Sequence, residues 1–273
     1  MKCFSFKELN FKFGIFDNCV DCTYIIHLEE NTNRLRNIQN QLQKFKPSKK
    51  LFIYLNKGFK HCSKKDLYKN QSNYDIIHSY IQIFNHANQH NFNNILVLED
   101  DFIFKRLILQ EDLNNISDFC NKNKQTDFML SMGTFPIIYY PINKYFFQSF
   151  ITFGSHCYIY SRKMRQKLIN NYSMINYCGD WDIYKLFVKN KYFYSKPLIY
   201  QKFEKTENQS NWPLFLLKNL ILKYISILNF DKDTEKAFYL HYKISFILNI
   251  FVFISILFFL LLVIFIIIYL FAN

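Results

Sequence analysis

Residues 244–271 form an apolar run of 28 residues, broken only by Ser245, Asn249 and Ser255 and carrying no charge. As a helix this run is about 42 Å long, against a hydrocarbon core of about 30 Å. Leu, Ile, Phe and Val each favour insertion by about 0.3–0.6 kcal/mol. A helix in a soluble core keeps a polar face, and this one has none. The run is expected to be a single transmembrane helix. Only Ala272 and Asn273 follow, which makes it a C-terminal tail anchor. Lys223, Lys232, Lys236 and Lys243 lie on its amino side, so the positive-inside rule puts the main domain in the cytosol.

A second stretch organises the remainder. In residues 94–104, N-I-L-V-L-E-D-D-F-I-F, four large apolar residues run without Gly or Pro into Glu99, Asp100 and Asp101. Such a run reads as a short strand buried on both faces, as in a parallel sheet. Two like charges about 4 Å apart repel by roughly 4 kcal/mol at an effective dielectric of 20, so a cation is expected among the three carboxylates. Oxygen-only ligands suit Mg²⁺ or Mn²⁺, and open α/β sheets bind ligands at the carboxyl ends of their strands. The triplet therefore reads as a metal-dependent site that handles phosphate. The plainer alternative is a solvated loop in which one Asp caps the next turn.

The chain has 273 residues, enough for one large domain or two small ones. Its net charge of +13 is lysine-driven, with only five Arg. No Arg cluster or basic motif accompanies it, which excludes the usual nucleic-acid readers and fits an anionic membrane surface or substrate. The seven Cys are odd in number and lack framework spacing, and the lone pair Cys19/Cys22 has no second pair for zinc. Free thiols in a reducing compartment are expected. Residues 1–14 contain Glu8 and Asn10 and no apolar core, so they do not read as a signal peptide.

In order, strands are expected at 22–28, 51–55, 95–98 and 128–132, with helices at 34–45, 75–90 and 109–121. Asn31, Thr32 or Asn33 is the candidate cap of the first helix. Residues 133–144, with Pro136 and Pro141, read as a loop; 149–153 and 155–160 read as extended segments around Gly154. Ser161 is the expected N-cap of a helix at 162–170. A helix at 181–188 and an extended piece at 192–194 follow, and an irregular stretch then runs from Pro197 to Trp212. Strands alternating with helices predict an α/β sandwich. Residues 214–230, with Lys218 and Lys223, read either as an interfacial helix or as one that closes the domain.

Several pieces then fall into one order: Y-I-I-H-L-E-E-N-T-N-R-L-R at 24–36, I-I-H at 76–78, L-V-L-E-D-D at 96–101, F-G-S-H-C-Y-I-Y-S-R at 153–162, G-D-W-D-I-Y at 179–184 and P-L-I-Y-Q at 197–201. In this the chain resembles glycosyltransferase family 25, the lipopolysaccharide-biosynthesis and collagen-galactosyltransferase-like enzymes, over about 24–212. The resemblance implies a GT-A-like, Rossmann-type α/β/α sandwich. It also implies a UDP-sugar donor, Mn²⁺ (or Mg²⁺), and transfer of a hexose, galactose or glucose, to a hydroxyl on a glycan, lipid-linked or protein acceptor. Glu99 and Asp101 fall at the outer, metal-binding positions of its D-x-D-like motif, with Asp100 between. His27, Leu28 and Arg34 match the segment lining the nucleotide pocket, Arg34 supporting the pyrophosphate or ordering the loop carboxylates. His27 and Asn33 stand where the family usually has Asn and Asp. Gly154 and His156 fall against the sugar, and Asp180 and Asp182 match the acidic position that supplies a catalytic base, with Asp180 favoured. The implied division is an N-terminal extension (1–22), the transferase domain (23–212), amphipathic or linker helices (213–243) and the membrane helix (244–271).

Other residues have plainer readings. Either Asp180 or Asp182 is as readily a helix N-cap as a base, His156 as readily a hydrogen-bonded structural residue, and His78 is expected to be structural. His86 and His90 are four apart but lack the Glu of a zinc-helix motif, so they read as surface residues. The sequons at Asn70, Asn115, Asn171 and Asn208 are without consequence in a cytosolic domain. Two further classes compete with the transferase: a non-catalytic membrane-anchored scaffold that retains the fold, and a metal-dependent phosphohydrolase.

Overall fold

A computed structural model describes residues 2–203 and 215–272. The centre is three parallel strands: β2 (Cys22–Leu28) lies between β3 (Lys50–Asn56) and β4 (Asn94–Glu99), after an edge strand β1 (Phe4–Asn10). Alternation sends Ile25, Ile53, Leu96 and Leu98 into one core, with Ile38 and Leu42 of helix α1 (Thr32–Lys44). It sends Tyr24, Ile26, Ile95 and Val97 into a second core on the other face, with Ile77, Tyr80, Ile81 and Phe84 of α2 (Ser72–Gln89). The chain thus leaves β2 over one face to reach β3 and returns over the opposite face to reach β4. The carboxyl ends of β2 and β4 flank the topological switch point, where open α/β sheets hold ligands.

The remaining elements are β5 (Phe102–Phe104), α3 (Gln110–Lys122), β6 (Met129–Ser131), β7 (Phe135–Pro141), β8 (Phe146–Phe153), β9 (Cys157–Ser161), α4 (Arg162–Asn170), α5 (Tyr172–Cys178), α6 (Trp181–Lys185), β10 (Lys191–Tyr194), β11 (Ile199–Gln201), α7 (Phe215–Ile227) and α8 (Thr234–Ala272). The main sheet runs β1-β3-β2-β4-β9-β6-β10-β8-β7, and β5 pairs with β11 in a separate ribbon. It is a mixed sheet, because β4 pairs antiparallel with β9. The architecture is an α/β sandwich with helices on both faces and one long apolar C-terminal helix.

Five expectations change. Residues 1–22 are no mere extension: β1 pairs along its whole length with β3, and Cys3 forms a disulfide with Cys62. The other five cysteines are free, so the all-thiol expectation is corrected at this pair. Residues 133–144 hold strand β7 rather than a loop. Pro136 and Pro141 are tolerated because β7 is the outermost strand, where a missing amide leaves no ladder bond broken. His86 is half-buried rather than on the surface; it stacks on Phe6 at 3.9 Å and bonds the Tyr24 hydroxyl at 2.8 Å. Of the stretch 197–212, expected to be irregular, residues 199–201 form β11, and the part from 204 to Trp212, with Asn208, lies outside the described residues.

The apolar helix begins earlier than expected and is partly docked. A third core of Tyr200, Leu228, Phe230, Ala237 and Phe238 fixes the end of α7 and the start of α8 over the β5–β11 ribbon. Farther along α8, the Ser245 hydroxyl donates to the Pro136 carbonyl at 2.5 Å, and Asn249 bonds the Tyr139 peptide. Two of the three polar residues that interrupt the apolar run, Ser245 and Asn249, therefore complete the outer edge of β7. Residues 250–271 remain, about 33 Å of helix, close to the roughly 30 Å hydrocarbon thickness. This helix is long and apolar enough to cross a membrane.

Candidate active site

β4 delivers Glu99 to the sheet's end, where its amide donates to the His156 carbonyl at 3.0 Å. The chain then turns through Asp100 and Asp101 into β5. Asn37 of α1 fastens this turn by donating to the carbonyls of Asp100 (3.2 Å) and Phe102 (3.0 Å). α1 is itself started by Asn31, whose side chain accepts from the Arg34 amide at 3.1 Å. That places the Arg34 guanidinium over the triplet, 2.5 Å from Asp100 Oδ1 and 3.8 Å from Asp101 Oδ2. His27, at the end of β2, contacts Asp100 Oδ2 through Nδ1 at 3.0 Å. Gln201 donates to Asp101 Oδ2 at 3.1 Å. Asp100 and Asp101 are only 5% and 3% exposed.

The electrostatic argument for a cation is thus met in part by the chain's own Arg34. Asp100 is fully engaged by Arg34 and His27. Glu99 and Asp101 are not. Burial first, and then the Asp101 charge, pushes the Glu99 carboxyl up to about 8. Burial also raises Asp101 to about 6 despite Arg34. Asp101 Oδ1 and His27 Nε2 are buried without a hydrogen-bond partner.

A second group adjoins Glu99. The Tyr80 hydroxyl lies 2.9 Å from both Glu99 Oε1 and the Ser155 carbonyl, and Trp181 stacks on its ring at 4.6 Å. Gly154 turns with φ +85, and a Cβ there would fall 3.0 Å from the Phe135 ring, so only Gly suits this turn. Asp182 holds the turn with both oxygens, accepting from the Gly154 amide (3.1 Å) and the Ser155 hydroxyl (2.8 Å). Lys185, with its side chain 1% exposed, pairs with Asp182 at 2.5 Å and donates to the Gly154 carbonyl at 2.9 Å. Burial alone would raise Asp182, but Lys185 and these donors outweigh it and hold the carboxyl below its ordinary value.

Asp180 differs. It is the N-cap of α6, accepting from the Ile183 amide at 3.0 Å, and burial together with the Asp182 charge raises its carboxyl. His156 is fully buried beneath Phe238 of α8, its Nε2–H donating to the Ile199 carbonyl at 3.3 Å; burial lowers it to about 3, so the ring is neutral. Leu28 turns over Gly58, where an added Cβ would fall 2.8 Å from Leu28 Cδ1.

His27, Arg34, Glu99, Asp100 and Asp101 therefore form one cluster, joined through Tyr80 and Ser155 to Gly154, His156 and Asp182. Glu99, Arg34 and Gly154 are partly exposed and mark where the cluster meets solvent. Sequence reasoning missed Tyr80, Asn37 and Lys185. Tyr80 was hidden in the apolar stripe of α2. Lys185 had a signal, since it stands three residues after Asp182 on one helix face. Among the described residues no three His, Cys, Asp or Glu side chains form a ready-made metal cage. Compared with known proteins, the chain matches no family model and no curated protein.

Proposed function

We propose that the protein is a metal-dependent glycosyltransferase, moving a hexose from a UDP-sugar to a hydroxyl acceptor at a membrane. The observation that carries this reading is the pair Glu99 and Asp101 at the switch point. Both carboxyls are raised, Glu99 in part by the charge of Asp101, and one Asp101 oxygen is unpartnered. Two such carboxylates fit one divalent ion, Mn²⁺ or Mg²⁺, whose other ligands would be phosphate oxygens and water. When bound, the ion would supply neutralising charge for the departing diphosphate. The GT-A type of fold and the membership of glycosyltransferase family 25 are part of this proposal.

Arg34 keeps the Asp100–Asp101 turn in place and presents positive charge to the same side. Gly154 lets backbone approach a sugar closely. In an inverting transfer the acceptor hydroxyl attacks the anomeric carbon, its proton passes to Asp180, and the bond to the UDP oxygen breaks. A base raised towards the working pH suits that role. Asp182 is occupied by Lys185, Ser155 and Gly154 and acts by holding the turn.

UDP with Mn²⁺ is expected to raise the melting temperature of the full chain in detergent, and Asp101→Ala to abolish the rise. An unchanged melting curve in the wild type defeats the proposal. One observation favours the second reading, a non-catalytic membrane-anchored scaffold: Arg34 already neutralises Asp100, as it would in a cluster retained for structure alone. Binding of UDP and Mn²⁺ without hydrolysis of any UDP-sugar across a donor panel would select it.

Two features bear on orientation. The lysines before the apolar segment favour a cytosolic domain, whereas the Cys3–Cys62 bridge belongs to an oxidising compartment.

A further inference from the structure

A crevice of about 760 Å³ lies away from the acidic cluster, at the foot of α8. Its floor is aromatic, formed by Tyr139, Phe147, Phe193 and Tyr242. Its rim is basic: Lys105 and Arg106 follow β5, Lys196 precedes β11, and Lys236 and Lys243 project from α8. Among the described residues that line it, the acidic ones are Asp233 and Glu235. Glu235 accepts the Arg106 amide at 3.3 Å, and Lys196 pairs with Asp112 at 3.4 Å.

The wall contributed by α8 fixes what the crevice faces. Lys236, Tyr239, Lys243 and Phe246 recur at helical spacing on one face. The same spacing continues through Ile250, Phe253 and Leu257, all exposed and all in the part of α8 free of the sheet. A single surface therefore runs from a cationic, aromatic-floored groove into the apolar span without a break. A soluble anion would use only the lower half of it. A molecule with a negative head and long hydrocarbon chains would use all of it.

We propose that this groove binds the phosphate headgroup of an anionic phospholipid, with the acyl chains following α8 into the bilayer. The inference does not rest on glycosyl transfer, since no residue of the Glu99–Asp101 cluster lines the groove.

The test uses the full chain in dodecylmaltoside, with native mass spectrometry reading bound dioleoyl phosphatidic acid, dioleoyl phosphatidylcholine or inorganic phosphate. Phosphatidic acid is expected to bind about tenfold or more tightly than phosphatidylcholine, and inorganic phosphate not to displace it. Combined Lys105→Gln, Arg106→Gln and Lys236→Gln should weaken it by about tenfold or more with an unchanged melting temperature. The same neutralisation at Lys12, Lys65 and Lys122, elsewhere on the surface, should leave binding intact. Equal binding of the two lipids, full displacement by phosphate, or an equal loss in the distant triple overturns the proposal. Should the groove triple melt early, single Lys105→Gln and Lys236→Gln chains provide the same comparison.

Discussion

Asn249 pairs with the Tyr139 peptide at both ends: its Oδ1 accepts the amide at 3.1 Å and its Nδ2 donates to the carbonyl at 2.7 Å. A side chain in the apolar helix thus takes the place of a neighbouring strand beside β7. Asn249→Leu would improve the helix for a bilayer while leaving two backbone groups of a buried edge unpaired. It is expected to destabilise the full chain in detergent by about 1–3 kcal/mol. Ser245→Ala, which removes one bond, should cost less. No change in the melting temperature of Asn249→Leu would mean that the helix does not dock on the sheet.

Glu99 yields a pH signature. Its folded carboxyl stands at about 8 against an ordinary 4.5, so the fold binds this proton more tightly than the unfolded chain does. The contribution to stability therefore falls as pH rises from about 4.5 to 8 and is recovered on acidification. Glu99→Gln removes the ionisation while keeping an acceptor for Tyr80. In the presence of a chelator it should be more stable than wild type at pH 8 by on the order of a few kcal/mol, and the two should converge near pH 5. Parallel melting curves across that range would show that Glu99 is not constrained in this way.

The two aspartates beside Trp181 separate by substitution with Asn. Asn caps a helix as well as Asp, so Asp180→Asn should leave the melting temperature almost unchanged. If Asp180 is the base, turnover of a UDP-sugar should nevertheless drop by about 10²–10⁴. Asp182→Asn instead strands the buried Lys185 cation and should cost about 3–5 kcal/mol. An Asp180→Asn chain with full turnover would remove Asp180 from the chemistry.

The cysteines report on the compartment. Alkylation of unreduced, denatured protein from its native membrane should modify five thiols, and reduction should expose all seven. Seven without reduction would put the domain on the reducing side, the orientation favoured by the lysines that precede the apolar run.

Local patterns carried much of this structure. The apolar run ending in Glu99 is β4, Ser161 caps α4 through the Met164 amide at 3.2 Å, and Asn31 starts α1. Each is written within a few residues of chain. What stayed hidden depends on partners far away. β7 contains two prolines and becomes a strand only because β8 and α8 lie beside it. β5 and β11 are three residues each, too short for periodicity, and meet across about a hundred residues. Arg165 is buried with no carboxylate bonded to it among the described residues, binding the carbonyls of Phe92, Asn93 and Tyr160, and nothing near it in sequence announces that role. The cluster's composition was legible because carboxylates are conspicuous. The neutralisation of Asp100 by Arg34, 66 residues earlier, became visible only once α1 was in place.

The grip of Asp182 on Gly154 and Ser155 has a mechanical corollary. Since Lys185 clamps the same turn and Tyr80 ties it to Glu99, a shift of α6 is coupled to one side of the acidic cluster. Any opening beside Glu99 would then move as one block that includes the Tyr80–Trp181 stack, rather than as a loose flap.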